Sequence, residues 1–180
     1  MSVPPSPLSV TLIVLFVTTC IMTDVTTRRI PNAVTLSGIG TGLLIGGASH
    51  GLAGCAAAAS GTLLAIALLI GPFALGGIGG GDVKMMAAIG SLAGPQALLA
   101  SLLAGMILGG LVAVGVLVRR GRLGEKLHAM GTMARSALLT RSFAPLRAQA
   151  EAQDAVALPY SVPLGLGTAI ALALQCTMRA

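Results

Sequence analysis

The chain has 180 residues, of which 55% are hydrophobic and only 9% charged, and its mean hydropathy is +0.94. A water-soluble domain of this length needs far more charge to cover its surface, which excludes an ordinary soluble fold. Nucleic acid is not the partner that the net charge of +6 indicates, because seven of the eleven basic residues fall within 119–147, and one tyrosine with three phenylalanines is too few for base stacking.

Residues 1–9 contain three prolines and no positive charge. They lack the basic start of a cleavable secretory signal, so the first apolar stretch, about 8–23, is expected to persist as a signal anchor. Asp24, Arg28 and Arg29 follow it, and Pro31 and Asn32 fit the start of a second helix, about 32–49. Gly46, Gly47 and Gly51 separate that helix from a third, about 52–75. A glycine-rich run then leads to Asp82, Lys84 and a short fourth segment that stops at Gly94 and Pro95. Residues 83–93 rise only about 16 Å as a helix. A short crossing with local bilayer thinning is expected there, because a re-entrant turn would move the basic cluster to the other side. The fifth segment covers about 96–118 and the sixth about 158–177, each near the length of about 20 residues that spans a bilayer core.

These segments predict an all-α fold: one membrane-embedded domain over 1–180 with six transmembrane helices. Lysine and arginine stand in the connections after the first, third and fifth segments. With six crossings these connections share one side, which the positive-inside rule makes cytoplasmic, with both termini outside. The basic stretch at about 119–157 is then a cytoplasmic loop, and its part at about 123–139 suits either an amphipathic helix on anionic lipid or a solvated connector. Gly38, Gly42 and Gly46 share one helix face, as do Gly105 and Gly109, and such faces let helix backbones approach closely in lipid.

Only five residues are acidic, and three of them, Glu125, Glu151 and Asp154, lie in the basic loop. Asp24 and Asp82 stand where apolar segments end or begin, a placement that costs up to about 2.5–3.5 kcal/mol at mid-bilayer and less near its surface. Each has a purely structural alternative: Asp24 can cap its helix and pair with Arg28 one turn on, and Asp82 can cap the fourth segment or pair with Lys84. Brought together in a poorly solvated site, they would share one proton, the ionised partner activating water and the protonated one stabilising an oxyanion. Cys20, Cys55 and Cys176 form no CxxC pair, and His50 and His128 are isolated. No metal site, disulfide framework or cofactor is expected.

Asp82 lies in Gly79-Gly80-Gly81-Asp82-Val83-Lys84, a GxGD sequence at a membrane boundary. Asp24 heads a run that reaches Arg29-Ile30-Pro31-Asn32, and Pro159-Tyr160-Ser161 opens the last segment. Together these resemble the type IV prepilin leader peptidases, a family of GxGD aspartic proteases, from the first segment to the last. The resemblance implies that Asp24 and Asp82 are the catalytic pair. Its implied substrate is a prepilin with a short basic leader, cut at the cytoplasmic face of a bacterial inner membrane, with pilus assembly machinery as a further partner. The short form resembles the peptidases of Flp-type pili, without the amino-terminal domain that supports N-methylation in the long members. Ser161-Val162-Pro163 departs from the glycine that many relatives carry after the aromatic residue.

Gly79 and Gly81 are expected to shape a site for extended substrate, since glycine permits unwound backbone with exposed amide and carbonyl groups. A phosphate-binding loop is not indicated, because no Gly-Lys-Ser/Thr follows. Lys84 can act on Asp82 or on a substrate carbonyl, or can reach toward lipid phosphates. Two rival classes share the aspartates: a small transporter or ion-coupling subunit, with Asp24 and Asp82 as proton or cation sites, and a non-catalytic scaffold of a pilus machine.

Overall fold

A computed structural model describes residues 7–121 and 160–177, with Gly124, His128, Gly131 and Thr132 between them. The described elements are four α-helices: α1 (Pro7–Thr27), α2 (Asn32–Ala74), α3 (Gly80–Arg119) and α4 (Ser161–Thr177). The expected basic loop and the amphipathic stretch within it lie, apart from a few residues, outside the described residues.

Lipid offers no partner for a polar group, so hydroxyls on an apolar helix must be satisfied within it. In α1 the hydroxyls of Thr18, Thr19, Thr23, Thr26 and Thr27 all bond to carbonyls one turn earlier. The helix stops at Arg28, whose φ of 52° is left-handed and whose N–H bonds to the Asp24 carbonyl at 2.8 Å.

Residues 32–74 in one straight helix would be about 65 Å long, twice the hydrocarbon thickness of about 30 Å. Helix α2 is instead broken at His50 and Gly51, and Gly51 takes a φ of 58° that glycine tolerates. Beyond the break the chain runs back along itself. A Cβ on Gly46 would stand 2.7 Å from the Gly54 carbonyl oxygen, and the Cys55 thiol lies 3.7 Å from the Leu43 carbonyl. Eight residues of straight helix would hold Gly46 and Gly54 about 12 Å apart. Helix α3 breaks in the same way at Gly94, whose φ is 81°, with Pro95 opening its second half.

The first half of α3 packs against both arms of α2. Gly42 lies against Ser91, whose hydroxyl bonds to the Ile39 carbonyl at 2.9 Å, and Gly61 meets Gly90 backbone to backbone. The second half runs antiparallel to α4, with Gly105 against Leu164 and Pro163, and Gly109 beside Pro163 and Tyr160. Ile13, Cys20, Met85, Met86, Ile89 and Leu98 are fully buried at the centre. Leu44, Leu52 and Leu111 are among many large apolar side chains left exposed, as lipid-facing surfaces require.

Three of the four helices, α1, α2 and α3, are long and apolar enough to cross a membrane, and α4 is a shorter apolar helix. The expected six spans are therefore not what the described structure supports. The reason is local: the reversals at His50–Gly51 and at Gly94 use one or two residues, so the second and third segments form one helical element, and the fourth and fifth another. The glycine faces do pack as the spacing predicts. Gly61→Leu should destabilise the protein by about 1–3 kcal/mol, since its side chain would overlap the Gly90 carbonyl. Gly110→Ala, with open space around it, should be neutral or slightly stabilising; thermal unfolding in detergent compares the two.

Candidate active site

The end of α1 and the starts of α2, α3 and α4 meet at one end of the helices. Asp24 occupies the last turn of α1 and is half-buried. Its Oδ2 accepts a hydrogen bond of 2.5 Å from the Ser161 hydroxyl, at the first residue of α4. This register follows from packing, because Val17 and Ile21 of α1 lie against Gly165 of α4.

The chain leaves α2 through a glycine turn. Gly76 has a φ of 76°, and the Gly77 N–H bonds back to the Pro72 carbonyl at 2.9 Å. Gly79 is extended (φ −72°, ψ 147°), and its carbonyl accepts the N–H groups of Asp82 at 3.1 Å and Val83 at 3.3 Å, opening α3. Asp82 thus sits in the first turn of α3, where the helix dipole favours a carboxylate. It is 8% exposed, and its carboxylate lies within electrostatic reach of Asp24 and close to the Gly79 amide. The structure therefore places the two acidic residues that the sequence singles out at the same end of the helices.

The flanking glycines are held tightly. A Cβ on Gly79 would stand 3.2 Å from Asp82 Oδ2, and one on Gly81 would stand 3.3 Å from the buried Ile30 side chain. Lys84 is exposed and turned elsewhere: its Nζ donates to Asn32 Oδ1 at 2.8 Å, tying the start of α3 to the start of α2. Neither ion pair of the structural alternatives is present among the described residues. Asp82 does not pair with Lys84, and the left-handed turn at Arg28 takes its side chain off the helical register that would face Asp24.

In the sequence Ser161 closes the Pro159-Tyr160-Ser161 match and begins the departure from the usual glycine, with no role of its own; in the structure its hydroxyl bonds a site carboxylate. Its signal was the polar side chain next to Tyr160; its partner, on a helix far away in sequence, became visible only in the fold. Tyr160 itself is half-exposed and lies beside Gly109. The hydroxyl of Ser161 faces a carboxylate rather than a histidine, so no Ser–His nucleophile is formed with His50, which lies at the α2 break, the far end from Asn32. Among the described residues no group of three or more His, Cys, Asp or Glu side chains could hold a metal ion.

Residues 11–114 match the model of the type IV leader peptidase family. The chain belongs to that family. The matched region contains both Asp24 and Asp82, whereas α4 lies beyond it. No curated protein and no solved structure matches the chain. Membership makes the chain a membrane peptidase, and the three long apolar helices agree with that setting. If Asp82 takes part in the peptidase reaction, Gly79→Ala should lower activity about tenfold, because the added methyl presses on Asp82 Oδ2 and small displacements of a reacting group are costly. Gly110→Ala should retain the full rate, and initial rates of leader cleavage by the two variants in detergent provide the check.

Proposed function

We propose that the chain is an aspartic endopeptidase of the GxGD type that removes the basic leader of an Flp-type prepilin at the cytoplasmic face of the inner membrane. The observation that supports this reading best is the placement of Asp24 and Asp82 at one end of the helices, within electrostatic reach of each other, by the end of one helix and the start of another. Two carboxylates in a poorly solvated site share a proton and titrate as a unit. The ionised partner takes a proton from water as the water oxygen bonds to the scissile carbonyl carbon. The protonated partner donates to the carbonyl oxygen, and collapse of the tetrahedral intermediate expels the amine with a proton returned from the pair.

In this reading α2 and α3 each cross the bilayer twice, reversing at Gly51 and Gly94, which gives six crossings with α1 and α4. Arg28, Arg29 and Lys84 then share the side of both aspartates, and the positive-inside rule makes that side cytoplasmic. A prepilin leader rich in lysine and arginine waits on the same side. Gly79, extended and beside Asp82, offers backbone that an extended peptide can approach, whereas Gly81 is already helical in the first turn of α3 and packs on Ile30; Lys84 and Asn32 form the rim.

Co-expression of the chain with a candidate Flp-type prepilin provides the test. Asp24→Asn and Asp82→Asn should each reduce leader removal by about 10²-fold or more while both proteins still insert in the membrane. Normal processing by either variant contradicts the assignment, and a gel shift of the pilin between long and short forms reads the outcome.

A further inference from the structure

We infer that Ser161 is a positioning residue for Asp24: its hydroxyl holds Oδ2 and leaves Oδ1 as the oxygen that meets water. This inference rests on the peptidase reading above and adds a residue from outside the matched part of the family.

Three observations carry it. First, Asp24 stands in the last turn of α1, and the helix ends at the left-handed Arg28 just beyond it. A last helical turn frays readily, so a carboxylate there is fixed in place only by a partner outside its own helix. The neighbouring hydroxyls give none, since Thr23, Thr26 and Thr27 are all bonded to α1 carbonyls. Second, Ser161 is fully buried, and its bond to Asp24 is its side-chain partner. A hydroxyl bonded to a carboxylate makes a shorter and stronger bond than one between neutral groups. Burial alone does not produce such a bond, because the equally buried Ser101 hydroxyl has no partner among the described residues. Third, among the described residues no donor occupies Oδ1. Among the described residues, then, one oxygen of the carboxylate is held and the other carries no donor.

A hydroxyl that merely straps α4 to α1 would act differently, so the experiment reads rate and stability together. Ser161→Ala, Ser161→Cys and Ser161→Thr are purified in detergent alongside Asp24→Asn. All are assayed on the Flp-type prepilin that the unchanged chain cleaves. Ser161→Ala and Ser161→Cys should each lower kcat about tenfold with KM within about twofold, measured well below the melting temperature of each variant so that any loss of stability does not enter the rate. Cysteine fills the same space with a poor donor, so its loss separates the hydrogen bond from packing. Ser161→Thr, which keeps the hydroxyl, should retain kcat within about threefold.

Full kcat in Ser161→Cys overturns the inference, as does a loss confined to melting temperature or KM. Should Ser161→Ala fail to fold, the cysteine and threonine variants still decide. If Asp24→Asn is inactive while Ser161→Cys cleaves at the full rate, only the role of Ser161 falls. Cleavage by Asp24→Asn would instead remove the peptidase assignment of Asp24 itself.

Discussion

Close backbone approach at glycine is the constraint on which the molecule depends. Apolar side chains gain nothing by leaving lipid for one another, so helices associate where small residues let backbones touch. Gly61 against Gly90, Gly42 against Ser91, and Gly105 and Gly167 between α3 and α4 are such points. They lock the first half of α3 to both arms of α2 and its second half to α4. The start of α3 therefore has little freedom, and Asp82 is delivered to a fixed place rather than to a mobile loop.

The site follows from where helices end. A carboxylate is tolerated at a membrane boundary when a helix start, a polar partner or water supports it. Asp82 has the first turn of α3 and the extended Gly79, and Asp24 has the Ser161 hydroxyl. Asp82 is supported by the start of its own helix, whereas Asp24 is supported from α4, so the place of Asp24 depends on α4 being docked on α1. Lys84, bonded to Asn32, contributes to the same docking by joining the starts of α2 and α3.

Much of this was legible in the chain itself. The scarcity of acids pointed to Asp24 and Asp82, and the glycine spacing pointed to the packing faces. Gly51 and the Gly94–Pro95 pair marked the breaks, where positive φ values now stand. The number of separate helices was not legible, because reversals of one or two residues leave no polar connection to read. The structural alternative for Asp24, a pair with Arg28 one turn on, required a continuing helix, and the helix ends at Arg28. The bonds of Ser161 and Lys84 depend on the register between elements remote in sequence, which no local pattern encodes.

The central claim is that Asp24 and Asp82 face each other in the folded protein. Thiol cross-linking in native membranes measures it directly, after Cys20, Cys55 and Cys176 are replaced by alanine. A chain carrying Asp24→Cys and Asp82→Cys should form an intramolecular cross-link under mild oxidation or with a short bifunctional reagent, as rapidly as the control pair Asn32→Cys and Lys84→Cys. Efficient cross-linking of the control pair with none between positions 24 and 82 would contradict the account.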